Sequence, residues 1–380
     1  MNKFKFYFIV LITSLSLFSC SKNDEEGITV EPPRDYTVQY NTDIEMIKEY
    51  LNNYYIIVTN NPGQPDDQNV LIKKIDAGQP SIMSYTSNAV AGSTIYPQLW
   101  SRDASINGVT YKLYYLILRP GVGTSPCNVD GVLTAYRGDY LSRDATSSVL
   151  SATKFDENLY PQTFFELLTT KVIPLRGWSE IMPQFKTGTT KEHFLPNGTP
   201  DGTVDHYDFG AGVMFLPSGY GYYNNGADSI PAYAPLVFSF KLYNIERLDQ
   251  DNDGVFSYQE DKNNDGYVYD FRNTITYPTT PEDLIRYADD TDKDFAPDFL
   301  DVDDDGDNYT TRLEITKPAG TNSGLSLYFP FDPIVDDPFT TAIETETKGI
   351  PSYNKIDKTF DYTTPGRLRI HLDNTYSVKP

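Results

Sequence analysis

The sequence predicts an α+β fold: an antiparallel sheet wrapped on one short helix, with a helical extension before it and a loop-rich acidic segment after it. Three observations predict this. Strand-like runs crowd between residues 107 and 246 with a single short helix candidate among them. An amphipathic stretch precedes them, and closely spaced aspartates follow.

In chain order, Lys3 and Lys5 accompany an apolar run from Phe4 to Phe18. That run is too short to span a bilayer comfortably and has the proportions of a secretory signal. It ends Leu17-Phe18-Ser19-Cys20, which resembles a lipobox, so lipidation is expected at Cys20 after removal of the preceding residues. Residues 1–20 then read as a lipoprotein signal peptide and 21–36 as a polar tether. The acids Asp24, Glu25 and Glu26 resemble the surface-export signal of Bacteroidetes lipoproteins. The expected location is the outer membrane, with the protein held by its lipid and facing the periplasm or the cell surface. With Cys20 acylated, Cys127 has no partner for an intrachain disulfide.

Residues 37–106 form an N-terminal region. Thr42-Asp43-Ile44-Glu45 reads as a capping box, with Ile44, Ile47, Leu51 and Tyr54 on one helical stripe behind it. Residues 70–84 read as strand and loop. From 107 to 246, Tyr111–Leu118, Gly131–Gly138, Val213–Leu216 and Leu236–Tyr243 alternate as strands, and Gly177–Phe185 is the short helix. Residues 247–318 are acidic, and 319–380 form a tail to which no role is assigned.

The net charge of −22 argues against nucleic acid as a partner and against electrostatic attraction to anionic lipid. Between Asp249 and Glu314 lie 20 acidic and 5 basic residues, so most of the excess is concentrated there. The common catalytic signatures are missing: three histidines, no CxxC, no GxSxG, no Walker loop and no HExxH. An enzyme built on this chain has to work without a nucleophile.

Several motifs between 107 and 246 fall in a telling order. They are Val132-Leu-Thr-Ala-Tyr136-Arg-Gly138, Phe155-Asp156, Phe165, and Leu175-Arg-Gly-Trp178 leading to the glycine turn at Gly188. Leu216-Pro217-Ser218 with Tyr222, then Ile230-Pro231 with Leu236-Val-Phe238, complete the series. In this register the region resembles FKBP-type peptidyl-prolyl cis-trans isomerases. The resemblance implies a pocket floored by Trp178 and walled by Tyr136, Phe155, Phe165, Leu175, Ile230 and Phe238. It implies two donors to substrate carbonyls, the Tyr222 hydroxyl and the Leu175 backbone N–H, and a carboxylate, Asp156, beside the rotating carbonyl. No cofactor is implied for catalysis.

Proline isomerisation crosses a barrier of about 18–20 kcal/mol set by amide resonance. Twisting the C–N bond removes much of the amide's charge separation, so an apolar cradle favours the twisted state. The departures from the family are local. Pro174 precedes Leu175, and the flap reads Gly219-Tyr220-Gly221-Tyr222-Tyr223, leaving Tyr220 and Tyr223 as alternatives to Tyr222. Phe164 is an alternative to Phe165. A polar insertion, Thr189 to Ala211, reads as a long loop at the pocket rim.

In the acidic segment, Asp249, Asp251, Asp253, Ser257 and Glu260 stand at positions 1, 3, 5, 9 and 12 of an EF-hand-like loop, with Gly254 at position 6 and the Val255 carbonyl at 7. Asp261-x-Asn263-x-Asp265-Gly266 lacks the closing acid, having Arg272 there. Asp290, Asp292, Asp294, Asp298 and Asp301 form a further loop with Phe295 in the glycine position. Asp301, Asp303, Asp305, Gly306 and Asp307 form another, followed by Glu314. Chained loops that share aspartates resemble thrombospondin type-3 repeats, and the expected ligand is structural Ca2+, stiffening a spacer.

Two functions are open. One is a lipid-anchored prolyl isomerase whose partners are proline-containing clients among exported proteins. The other is a non-catalytic surface or adhesion protein, or a complex subunit, that uses the same scaffold and calcium array for binding.

Overall fold

The structure, a computed structural model, describes residues 32–168, 175–319, 326–334 and 346–376. The signal segment, Cys20, most of the tether and Pro174 lie outside the described residues. The elements that matter here are α1 (Tyr36–Asn53), β1 (Tyr54–Val58), β2 (Val70–Lys74), β3 (Gln98–Ile106), β4 (Val109–Arg119), β5 (Gly131–Arg143), β6 (Leu150–Asn158), β7 (Phe165–Glu166), α2 (Arg176–Ile181), β8 (Thr189–Phe194), β9 (Pro200–Tyr207), β10 (Gly210–Leu216) and β11 (Leu236–Glu246). Seven of the strands make one antiparallel sheet in the order β3-β4-β10-β11-β5-β6, with β7 added to β5.

Alternation along the central strands sorts the core into two layers. Tyr111, Leu113 and Tyr115 of β4, Met214 and Leu216 of β10, and Leu236, Phe238 and Phe240 of β11 face α2 with Trp178 and Ile181. Leu116 and Leu118, Val213 and Phe215, and Val237 face the opposite way, onto Ile47, Tyr50 and Leu51 of α1. The sheet is therefore covered on both faces. It also takes in β3, which pairs with β4 from Gln98↔Ile117 to Ile106↔Val109, so its edge strand comes from before residue 107.

Two local expectations are corrected. The helix does not begin at the Thr42–Glu45 motif. Asp35 caps it, its carboxylate accepting from the Val38 N–H at 3.0 Å. Thr42 lies in the helix interior and donates to the Val38 carbonyl at 3.3 Å. Asp43 turns inward, fully buried, and accepts from the Ser218 N–H at 2.8 Å, the Ser218 hydroxyl at 2.6 Å and Gln39 Nε2 at 2.6 Å. A tertiary acceptor and a helix cap use the same residue types, which is why the pattern misled.

The insertion 189–211 is not a loop. It forms the β8–β9 hairpin, paired from Thr189↔Tyr207 to Phe194↔Pro200, and then enters β10. Its polar sequence is that of a two-faced exposed ribbon, with His193 bonded to Asp205 at 2.8 Å and His206 stacked on Tyr243 at 4.1 Å.

The acidic segment does not project as a spacer. Asn128 pairs with it through backbone and side chain, its N–H donating to Gly266 O at 3.1 Å and its Nδ2 to Val268 O at 2.8 Å. Val268 and Phe299 are buried with Cys127 and Val129. The tail closes over the segment's far side, where Phe329, Ile350, Ile370 and Tyr376 pack on Val255 and Ile315. No helix among the described residues is long and apolar enough to cross a membrane.

Asp43 ties α1 to the residue that starts the flap, so removing it strands the buried Ser218 donors. Asp43→Ala is expected to lower the unfolding free energy by about 2–3 kcal/mol in denaturant titrations. A change of a few tenths would show that the tether contributes little.

Candidate functional site

The short helix α2 places the site. An added Cβ at Gly177 would lie 2.3 Å from Leu216 Cδ1, so glycine lets the helix backbone settle directly onto β10. That approach seats the next residue, Trp178, among the sheet's aromatic side chains, 3% exposed. A 3-10 turn, Met182–Gln184, then leads to buried Phe185.

Above Trp178 lies a cavity of about 170 Å³ lined by Thr134, Tyr136, Phe155, Asp156, Phe165, Leu175, Trp178, Tyr222 and Phe238. The rings meet edge to face, an arrangement favoured by the aromatic quadrupole. Trp178 is 5.1 Å from Phe238, 5.6 Å from Tyr136 and 5.7 Å from Phe165, and Phe155 is 5.6 Å from Phe238. Gly138 makes this closeness possible, since a Cβ there would meet Phe155 at 2.5 Å and Phe238 at 2.7 Å. The β5–β6 register shifts beside it, so Gly138 pairs with Asp156 while Asp139 pairs with Lys154, and Phe155 is the extra residue. The bulge turns both Phe155 and Asp156 to the same cavity.

The polar groups gather on one side. Tyr136 donates to Asp156 Oδ2 at 2.6 Å, and the Glu157 N–H donates to Asp156 Oδ1 at 2.8 Å. Burial, the hydrogen bond to Asp156 and that carboxylate's charge raise the Tyr136 hydroxyl. Burial and then Asp156 raise the Tyr222 hydroxyl too. Both phenols keep their protons at neutral pH and are donors.

Two open choices of register have structural answers. Tyr222 lines the cavity, whereas Tyr220 is buried edge-on to Tyr111 at 5.2 Å and Tyr223 stacks on Tyr36 at 4.3 Å. Phe165 lines it and Phe164 lines a different depression beside Pro161 and Tyr243. Ile230 departs from expectation: it is buried in the adjoining core but does not line the cavity. Thr134 takes a place that sequence reasoning missed. It sits two residues before Tyr136 on β5, hence on the same face, and donates to Lys241 O at 3.0 Å. The β8–β9 hairpin contributes nothing to the lining. A larger cavity of about 600 Å³ between β3, β4 and residues 269–281 holds one charged pair facing inward, Arg102 and Glu180, already bonded at 3.0 Å.

The acidic segment folds as four loops on one hydrogen-bond plan, starting at Asp249, Asp261, Asp290 and Asp303. In each, the N–H of the sixth residue donates to the first carboxylate: Gly254 to Asp249, Gly266 to Asp261, Phe295 to Asp290 and Asn308 to Asp303, at 2.7–3.1 Å. The fifth residue's N–H donates to the third residue's side chain, and the seventh's to the fifth's. The sixth residue has positive φ every time, +102° at Gly254, +88° at Gly266, +86° at Phe295 and +74° at Asn308.

This corrects the last loop. It starts at Asp303, not Asp301, which makes Glu314 its twelfth residue and Asp301 the twelfth of the loop before it. Gly306 is then the fourth residue, with φ +68° as at Asn252, Asn264 and Lys293 of the other loops, and a Cβ there would meet Asp292 Oδ2 at 2.4 Å.

Carboxylate oxygens converge within 4.8 Å in the sets Asp249/Asp251/Asp253, Asp290/Asp292/Asp294 and Asp303/Asp305/Asp307. Buried oxygens of Asp249, Asp251, Asp253, Asp303, Asp305, Asp307, Glu260 and Glu314 have no hydrogen-bond partner among the described residues. Oxygen-only clusters with unsatisfied lone pairs fit a hard divalent cation such as calcium. Other expected ligands are otherwise engaged: Ser257 Oγ accepts from the Gln250 N–H at 3.1 Å, and Asp298 accepts twice from Thr291 at 2.7 Å.

The segment also reaches the back of α2. Arg102 on β3 bonds Glu180 and Tyr269 at 3.0 Å each and stacks under Tyr267, whose hydroxyl donates to Glu180 O at 2.7 Å. Gln184 Nε2 donates to the same Tyr267 oxygen at 2.8 Å.

Among known proteins, residues 250–342 match the family model described as BamM C-terminal. No curated protein matches the chain. Similar solved structures include a peptidyl-prolyl cis-trans isomerase from Pseudomonas syringae pv. tomato, 20% identical, covering 43% of this chain and 90% of that one with a TM-score of 0.25. FkpA from Escherichia coli is 23% identical over 36% of this chain and 48% of its own, with a TM-score of 0.24. The N-terminal domain of FKBP42 from Arabidopsis thaliana is 16% identical over 40% of this chain and 98% of its own, with a TM-score of 0.25.

Without metal, burial and neighbouring carboxylates push Asp251 up to about 8, Asp253 and Asp305 to about 7 and Glu314 to about 9. Unfolded carboxylates titrate near 4, so the folded chain binds more protons between the two values and loses stability as pH rises through that window. In chelator, the unfolding temperature is therefore expected to fall from about pH 5.5 to about pH 8. Saturating calcium should raise it and remove that fall. A chelated protein that grows more stable toward pH 8 would contradict the assignment.

Proposed function

We propose that the chain is a peptidyl-prolyl cis-trans isomerase of the FKBP type acting on proline-containing segments of exported proteins. The observation that carries this reading is the aromatic cavity over Trp178, with the Asp156 carboxylate and the Tyr136 and Tyr222 phenols at a single side. Its volume of about 170 Å³ suits one small ring, as an engineered apolar cavity of ~150 Å³ admits benzene.

In this reading a prolyl ring sits on Trp178 between Tyr136, Phe165 and Phe238. The apolar walls favour the twisted amide, which has less charge separation than the planar one. Tyr222 donates its hydroxyl to a substrate carbonyl, and the Leu175 N–H is the second donor. Asp156 carries no proton in the cycle. Fixed by Tyr136 and the Glu157 N–H, it offers a placed negative charge beside the rotating carbonyl. The three histidines are spent elsewhere, His193 on Asp205, His206 on Tyr243, and His371 fully buried beside Phe331.

Calcium belongs to the same proposal as a structural ion. Its ligands would be Asp249, Asp251, Asp253, the Val255 carbonyl and Glu260 in the first loop. Asp290, Asp292, Asp294 and Asp301 would serve the third, and Asp303, Asp305, Asp307 and Glu314 the fourth. Bound there, it neutralises carboxylates that would otherwise repel one another. Cys20 lipidation would hold the protein at the outer membrane. A second reading, a subunit of an outer-membrane assembly that binds prolyl segments with little turnover, is favoured by the BamM C-terminal match of residues 250–342.

The test is isomerisation of a prolyl tetrapeptide by the chain from Ser21 onward. Tyr222→Phe is expected to lower kcat/KM about tenfold, the loss of one transition-state hydrogen bond of ~1.4 kcal/mol. Asp156→Ala should lower it at least as far, with unfolding unchanged because Asp156 is exposed. A wild-type chain that binds prolyl peptide but does not accelerate isomerisation would replace this reading with the second.

A further inference from the structure

Of the segment's acids with unpartnered buried oxygens, one falls outside the four-loop plan. Asp304 is the second residue of the fourth loop, between the inward-facing Asp303 and Asp305, so its side chain leaves that loop. It does not reach solvent: it is 1% exposed. Its carboxylate enters the first loop, where its oxygen, one from Asp253 and one from Glu260 lie within 4.8 Å of one another.

All three residues are buried. Five of their oxygens, Asp253 Oδ2 and both oxygens of Glu260 and Asp304, have no hydrogen-bond partner among the described residues. Four of the segment's five basic side chains are committed elsewhere. Lys262 donates to Thr291 at 2.8 Å, Arg272 pairs with Asp270 at 2.8 Å, Arg286 pairs with Asp283 at 2.7 Å, and Arg312 bonds Asn252 O and Tyr328. None of the three carboxylates forms an ion pair among the described residues, and a buried carboxylate cluster with open lone pairs is the environment of a metal ion.

We propose that Asp253, Glu260 and Asp304 together hold one divalent cation that ties the first loop to the fourth. The all-oxygen donor set selects a hard ion, and the absence of imidazole or thiolate among the donors disfavours zinc. Three carboxylates brought together from separate stretches suit the adaptable geometry of calcium better than the water-rich octahedron of magnesium.

The site has a consequence that isolated loops do not. Asp253 and Glu260 are also among the carboxylates proposed for the first loop's own ion, so the two sites share ligands and filling one bears on the other. The cation would also cross-link residue 260 to residue 304 and close the intervening chain, with its Tyr267–Tyr269 contact to α2, into a ring. The proposal rests on calcium occupying the loops at all, and the experiment separates the two claims.

Calcium titration calorimetry on the chain from Ser21 onward would compare wild type with Asp304→Asn and Asp294→Asn. Loss or weakening of one calcium equivalent in Asp304→Asn is expected, together with calcium-insensitive proteolysis between residues 261 and 297. Asp294→Asn should lose its own equivalent and keep that protection. Calcium uptake by Asp304→Asn identical to wild type would overturn the interloop site while leaving the loop sites standing. No uptake by wild type would overturn both. Should Asp304→Asn fail to fold, the anomalous signal of a manganese-soaked wild-type crystal decides: a peak among the three carboxylates supports the site, and peaks at other loops alone overturn it.

Discussion

The aromatic cavity and its contact with the acidic segment both depend on how closely α2 lies on the sheet. Gly177 lets the helix backbone meet Leu216 directly, and a methyl group there would lie 2.3 Å from the Leu216 side chain, so that either this side chain or the helix would have to shift. On one side of that contact Trp178 becomes the floor of an aromatic cavity. On the other, Glu180 takes Arg102 and Tyr269, and its carbonyl takes Tyr267. Six helical residues thus join the pocket to the acidic segment. A buried ion pair with its hydrogen bonds complete adds little net stability, but breaking it by removing one partner costs about 3–5 kcal/mol. The contact between segment and helix is therefore held in one register.

The acidic segment obeys a different constraint. Its four loops are shaped by backbone N–H groups donating to aspartates, so much of their form is present in the chain's own hydrogen bonds. What those bonds do not resolve is charge. Carboxylates that converge within 4.8 Å and are buried repel one another and lack the water that would screen them. Cations would supply the missing term. The tail packs on Val255 and Ile315, which lie inside the first loop and directly after the fourth, so the order of the tail follows from the order of the loops.

Much of this was legible in the sequence, for reasons that can be named. The central strands showed because alternation must match a sheet covered on both faces. The cavity residues showed through the resemblance of Gly-Trp, Phe-Asp and the flap tyrosines, taken in order, to the FKBP-type motifs. Thr134 did not show, because a threonine in a strand reads as ordinary strand composition. Asp43 was misread, since a buried acceptor for Ser218 and a helix cap draw on the same side chains. The β8–β9 hairpin was hidden by its polarity, which in an exposed ribbon is indistinguishable from that of a loop. The loop register from Asp301 to Glu314 was ambiguous because aspartates occur at nearly every position. The Asn308 N–H bond to Asp303 settles it, with Gly306 and Asn308 left-handed at the fourth and sixth positions as in the other loops. Asp304 could not be assigned from spacing at all, because its partners are more than forty residues away.

The central claim is that the cavity over Trp178 receives a prolyl ring. The most direct measurement is the fluorescence of Trp178 alone, in a Trp100→Phe background, during titration with a proline-containing peptide and its alanine counterpart. The account predicts a saturable change with the prolyl peptide and none with the alanine peptide. Equal responses, or no response to either, would contradict it.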